Sequence, residues 1–213
     1  MRNRTFVLAA LALAAVLVGG GLLASNMGFK LAYELSSTDS DTGANTLGLP
    51  FNQQTNLSDA EDLIGDINTS AGSVVVVSVS NYVKSDDAFS PYTGFSGINF
   101  PLVAGEGYLV KVSQDGTYII VGSHNPSLAI QFSSTDSDTG ANFYSFPYHG
   151  TPIDADELLT DIGSGVVSVS NYVKSDDAFS PYTGFSGTNF PLAPGEAYLV
   201  KVSVDVSYTP SHY

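Results

Sequence analysis

Cysteine and tryptophan are both absent from the 213 residues, and basic residues are scarce, seven Lys plus Arg against 21 Asp plus Glu. Without cysteine there is no disulfide to staple the fold and no thiolate nucleophile or metal ligand. The chain must be held by core packing, by metal or by assembly. A net charge of −14 repels phosphate backbones and argues against nucleic acid as a partner. Histidine is limited to His124, His149 and His212. The sequence has no G-x-S-x-G and no glycine-rich phosphate loop ahead of a helix. Nucleophile, base and orienting group do not occur together, so the chain reads as non-enzymatic.

What is present begins with an apolar leader. Arg2 and Arg4 precede "TFVLAALALAAVLVGGGLLA", which ends near Ala24. A basic start, an apolar middle and small residues read as a secretory signal. The 19 residues Phe6–Ala24 are also long enough for a retained anchor. Residues 1–24 are therefore expected to be a signal peptide or membrane anchor, and the protein to be extracellular or at the cell surface. Cleavage would remove Arg2 and Arg4, turning −14 into −16 and leaving five Lys and no Arg.

The rest of the chain is a duplication. "VVSVSNYVKSDDAFSPYTGFSG" occurs unchanged at Val76–Gly97 and Val166–Gly187, an offset of 90. "LAYELSSTDSDTGANTLGLPF" (Leu31–Phe51) matches "LAIQFSSTDSDTGANFYSFPY" (Leu128–Tyr148) at an offset of 97. The first copy has the longer linkers "NQQTNLS" and "NTSAGS", which are expected to be surface loops. Repeat 1 is placed at residues 25–125 and repeat 2 at 126–213, each the size of a small domain.

Each repeat reads as mainly β. "KLAYELS" and "SLAIQFS" alternate as half-buried strands do, "VVVVSVSNYV" suits a central strand, and "EGYLVKVS", "EAYLVKVS" and "GTYIIVG" resume alternation after turn residues. One helix per repeat is expected, over Asp59–Ile67 and Asp154–Ile162. Ala60, Leu63, Ile64 and Ile67 form one apolar stripe, and Ala155, Leu158, Leu159 and Ile162 form the other. Ser58 followed by Glu61 has the form of a capping box. The fold class expected is two tandem small β-sandwich-like or barrel-like domains, each with one short α-helix.

These pieces resemble a β-rich repeat of secreted and cell-surface proteins of bacteria and archaea. Its pattern is Asn and an apolar strand ending in Pro-aromatic, here Asn45–Phe51, then an AD-x-L helix start, here Ala60–Leu63. A strand ending in an aromatic follows, Val74–Tyr82, and then G-x-NFPL-x-x-GE-x-Y-x-VKV at Gly97–Val112. Repeat 2 carries the same pieces from Asn142 to Val202. The resemblance implies a fold and an external location more than an activity. The form usually seen carries Trp, which this chain lacks.

Two segments are candidates for chemistry. "TDSDTGAN" offers Asp39, Asp41 and Asn45, and again Asp136, Asp138 and Asn142, as oxygen ligands for calcium, the one cofactor suggested. The alternative is a polar turn between strands. In "KSDDAFSPYTGFSG", Asp86 and Asp87 read as a solvated acidic loop, while Phe89, Tyr92 and Phe95 are either a sugar-stacking platform or core beneath that loop.

The function expected is a self-assembling structural protein, such as a filament, surface-layer or adhesin subunit. The alternative is a calcium- or polysaccharide-binding module at the cell surface. Partners would be copies of itself, a polysaccharide or another surface protein. Phe29, Leu31, Tyr33 and Leu35 are the strand-exchange candidates, because Pro210 weakens the last strand of repeat 2 and an N-terminal strand of another molecule can cover an open edge; the rival reading is a monomer whose N-terminal strand folds into its own first repeat.

Overall fold

The computed structural model describes residues 29–212 apart from 50, 51, 54–56, 74, 124 and 126. The leader, the Pro50–Phe51 pair and His124 lie outside the described residues. Strands β1 (Phe29–Leu35), β2 (Ala44–Gly48) and β3 (Asn52–Gln53) lead to helix α1 (Ala60–Ala71), followed by β4 (Val76–Val83), β5 (Ala88–Tyr92), β6 (Gly107–Val112) and β7 (Gly116–Ser123). Repeat 2 runs β8 (Ile130–Phe132), β9 (Ala141–Ser145), α2 (Ala155–Ile162), β10 (Val166–Val173), β11 (Ala178–Tyr182), β12 (Ala197–Val202) and β13 (Val206–Tyr208). In each half a four-stranded antiparallel sheet, β2-β6-β4-β5 or β9-β12-β10-β11, is paired with a smaller one, β1-β7-β3 or β8-β13. The molecule is two tandem β-sandwich-like domains with one α-helix each.

The alternation in β1 is borne out. Leu31, Tyr33 and Leu35 are buried while Lys30, Ala32 and Glu34 are exposed. Its pairing with β7 runs from Phe29 opposite Gly122 to Leu35 opposite Gly116. The equivalent strand β8 is cut to three residues because its partner β13 ends at Tyr208. Pro210 follows and has no N–H to extend the ladder.

Both helices lie where their apolar stripes place them. Ala60, Leu63 and Ile67, and Ala155 and Leu158, are buried with almost no exposed surface. The caps fall one residue later than the Ser58–Glu61 box. Asp59 accepts the Asp62 N–H at 3.0 Å, and Asp62 reaches back to the Ser58 N–H at 3.0 Å. In repeat 2, Asp154 accepts from the Glu157 N–H, and Glu157 accepts from the Ile153 N–H. An aspartate caps as well as a serine, so the register follows the stripe. "NTSAGS" is not the loop expected of it. Helix α1 continues through Ala71 and stops at Gly72, whose φ of 68° is the left-handed stop that glycine permits.

A second difference concerns "AFSPY". Read as loop, it forms β5 and β11, edge strands paired with β4 and β10. Pro91 and Pro181 are tolerated because edge strands leave one row of N–H groups unpaired. A single 3-10 turn, Lys84–Asp86 or Lys174–Asp176, joins the paired strands.

Each half has its own apolar core, one around Leu47, Leu63, Val79, Tyr108, Val110 and Tyr118, the other around Tyr144, Leu158, Val169, Tyr198 and Val200. Leu158→Ala removes most of a side chain with no exposed surface, and should cost about 2–5 kcal/mol. Urea unfolding of the full chain followed by circular dichroism checks this.

Candidate functional site

Strand β6 does not leave one face exposed, as its alternation leads one to expect. In β6, Tyr108, Val110 and Val112 point into repeat 1's core, yet Leu109 on the opposite face is also buried. In β9 all five residues are buried. Burial on both faces means that the outer side of each four-stranded sheet is covered, and the cover is the other repeat.

The contacts across this face are reciprocal. The Gly48 N–H donates to the Gly195 carbonyl at 2.6 Å, and the Ser145 N–H donates to the Gly105 carbonyl at 3.0 Å. Thr42 Oγ1 donates to Asp177 Oδ1 at 3.0 Å, and Thr139 Oγ1 donates to Asp87 Oδ1 at 2.9 Å. Lys174 Nζ lies 3.6 Å from Asp39, and Lys84 Nζ lies 3.9 Å from Asp136. Every partner maps onto its counterpart by the offsets 97 and 90. This is the signature of an isologous, two-fold contact, formed here within one chain. Phe89 and its counterpart Phe179 stack on each other across it, with centroids 5.8 Å apart and planes 8° apart.

The turn after β4 and β10 builds the polar part. Asp87 and Asp177 adopt a left-handed φ of 50°, a conformation that aspartate tolerates better than most side chains. It directs the Asp87 carboxylate to the Tyr82 hydroxyl within its repeat and to the Thr139 N–H and hydroxyl of the other. Asp177 likewise takes the Tyr172 and Thr42 hydroxyls. The tyrosine hydrogen bond is the main reason both carboxyls sit below the usual carboxylate range. Lys201 beside Asp87 and Lys111 beside Asp177 act in the same direction. Partial burial pushes the Tyr172 phenol up to about 12, and Asp177 adds to the effect.

Four of the six calcium candidates make contacts in this arrangement. Asn45 accepts the Ser36 N–H and donates to the Ser36 and Gly43 carbonyls, closing the "TDSDTGAN" loop on itself. Asn142 does the same with Ser133 and Gly140. Lys174 Nζ also donates to Asn45 Oδ1 at 2.8 Å. Asp39 and Asp136 face lysines, and Asp41 and Asp138 are exposed. Among the described residues, no group of three or more His, Cys, Asp or Glu side chains is placed to hold a metal ion.

The three aromatics of "KSDDAFSPYTGFSG" separate. Tyr92 is buried in its core, Phe89 lies between the repeats, and Phe95 is fully exposed, as is Phe185. The turns that carry these two phenylalanines are ordered by local bonds. Thr93 Oγ1 accepts the Phe95 and Ser96 N–H groups, and Thr183 does the same for Phe185 and Ser186.

The strand-exchange candidates Phe29, Leu31, Tyr33 and Leu35 all lie in β1, paired with β7 of the same chain. Phe29 stacks on Tyr148 of repeat 2 with centroids 4.3 Å apart, and Leu31, Tyr33 and Leu35 fill repeat 1's core. The free edge of β1 runs along a cleft of about 260 Å³ lined by Glu34, Lys174, Pro194 and Glu196.

Asp87 and Asp177 bind their protons more weakly folded than unfolded. Their contribution is therefore complete above the ordinary carboxylate value of about 4 and is lost as pH falls through their depressed folded values. Asp87→Asn/Asp177→Asn should lower the melting temperature at pH 7, and the gap from wild type should close toward pH 2. Calorimetry across that range measures both.

No family model matches the chain, and no curated protein or solved structure was found to match it.

Proposed function

We propose that the protein is a non-enzymatic structural component of the cell exterior, a filament, surface-layer or adhesin subunit that assembles with copies of itself. The observation that carries this reading is the reciprocal face. The residues that the two copies share meet one another there and hold two β domains at a fixed geometry, as a building unit requires. The apolar leader and the resemblance to secreted β repeats support the external location.

Assembly proceeds through β1. It is an edge strand whose Leu31, Tyr33 and Leu35 occupy a core that β1 of an identical chain fills equally well. Exchange of such an element between copies keeps every contact and joins molecules without new surface. The test uses the absence of cysteine. Ala32 and Ile119 are opposite each other on β1 and β7, both with exposed side chains. Assemblies of Ala32→Cys/Ile119→Cys, oxidised after they form, should give a ladder of covalent multimers on a non-reducing gel. A band at monomer size alone refutes strand exchange.

A second reading, polysaccharide binding, is favoured by Phe95 and Phe185, two exposed rings on ordered turns. Phe95→Ala/Phe185→Ala should leave stability within about 0.5 kcal/mol of wild type and abolish glycan retention on affinity electrophoresis. Equal retention by both proteins removes the reading.

A further inference from the structure

The face between the repeats is reciprocal in most of its polar contacts but not in its packing. Near its centre the two copies differ at three aligned pairs, Thr46 and Phe143, Gly48 and Ser145, and Gly107 and Ala197. At each pair the larger residue belongs to repeat 2. Phe143 is buried, edge-on to both Phe89 and Phe179, with centroids 5.1 and 5.6 Å away. Its ring lies against Gly107, where a Cβ would stand 3.1 Å from the ring and 2.3 Å from the Ala197 Cβ. A Cβ on Gly48 would stand 2.6 Å from Ser145 Oγ and 2.7 Å from the Glu196 carbonyl oxygen.

We propose that this face is specified for unlike pairing. Repeat 1 is a socket that accepts repeat 2, whether of its own chain or of a second copy, and like repeats do not pair. In a pairing of repeat 2 with itself, the two Ala197 methyls would meet at the spacing just given for residues 107 and 197, and each Phe143 ring would press on a methyl. No packed interior accommodates a carbon contact that short. In a pairing of repeat 1 with itself, glycine would face glycine, and Thr46 would leave the Phe89 rings without their edge-on partner, a void at the centre of the face. Two repeats that share their polar contacts would otherwise pair 1 with 1 and 2 with 2 between chains. The size asymmetry removes those pairings and keeps 1 with 2. The inference stands apart from the proposed function, since it holds for a monomer and for a polymer alike.

The test is made on the full chain with three variants. Thr46→Phe/Gly48→Ser/Gly107→Ala makes both faces large, and Phe143→Thr/Ser145→Gly/Ala197→Gly makes both faces small. Each should lower the melting temperature by about 4–10 °C. The six-fold variant combining both sets restores large against small with the polarity reversed, and should recover most of that loss. Recovery supports the proposal even where a three-residue variant fails to fold. A six-fold variant no more stable than the weaker three-residue set overturns it, as do three-residue variants that melt with wild type.

Discussion

The structure depends on the burial of one sheet face against its copy. Each four-stranded sheet has an inner side that packs on its own helix and small sheet, and an outer side that carries Leu109 and Phe89, or Phe143 and Phe179. An outer side of that composition is unstable in water, and the two repeats solve the problem together. The difficulty is charge, because both halves are acidic. Of the five lysines beyond the leader, four (Lys84, Lys111, Lys174 and Lys201) act at this face through Asp136, Asp177, Asp39 and Asp87. Partly exposed pairs of this kind contribute little individually, about 0–1 kcal/mol. Their value here lies in offsetting the repulsion of two like-charged surfaces brought together.

Much of the fold was legible because it is local. The period-2 burial of β1 and the two helical stripes follow from side-chain direction alone. Where the structure departs from the local pattern, the deciding partner lies elsewhere in the chain. "AFSPY" looks like a loop, with a proline and polar neighbours, and becomes a strand only because β4 or β10 is there to pair with it. The end of α1 was misjudged in the other direction. The polar "NTSAGS" reads as a linker because the first copy is longer there, yet the helix runs on to Gly72, the residue that can stop it.

The face between the repeats was the least legible part, for a physical reason. Its ion pairs join residues 135 and 52 positions apart, Asp39 with Lys174 and Lys84 with Asp136, and no local pattern encodes such a distance. Asp39, Asp136, Asn45 and Asn142 read as calcium ligands or as a polar turn, and in the structure they close their loops and contact the other repeat. One signal was present in the sequence. Lysine is rare in the chain, yet it recurs at the same two places in each copy, after "NYV" and within "LVKV".

The interface gives a reason for part of the identity between the repeats and not for the rest. In a two-fold contact each residue acts twice, once from each copy, so Lys84, Asp87 and Phe89 and their counterparts are held to the same chemistry by one another. "SSTDSDTGAN" supplies the other side of the same contacts and is likewise unchanged. Phe95 and Phe185 have no such reason. They sit at the far end of the same unchanged stretch, on turns ordered by Thr93 and Thr183, and they are fully exposed. The local hydrogen bonds order the backbone of each turn and leave the ring itself in water, where it adds nothing to the stability of the fold. The two tips thus carry identical exposed rings to which the fold assigns no packing role, while the opposed sheets hold the two repeats together.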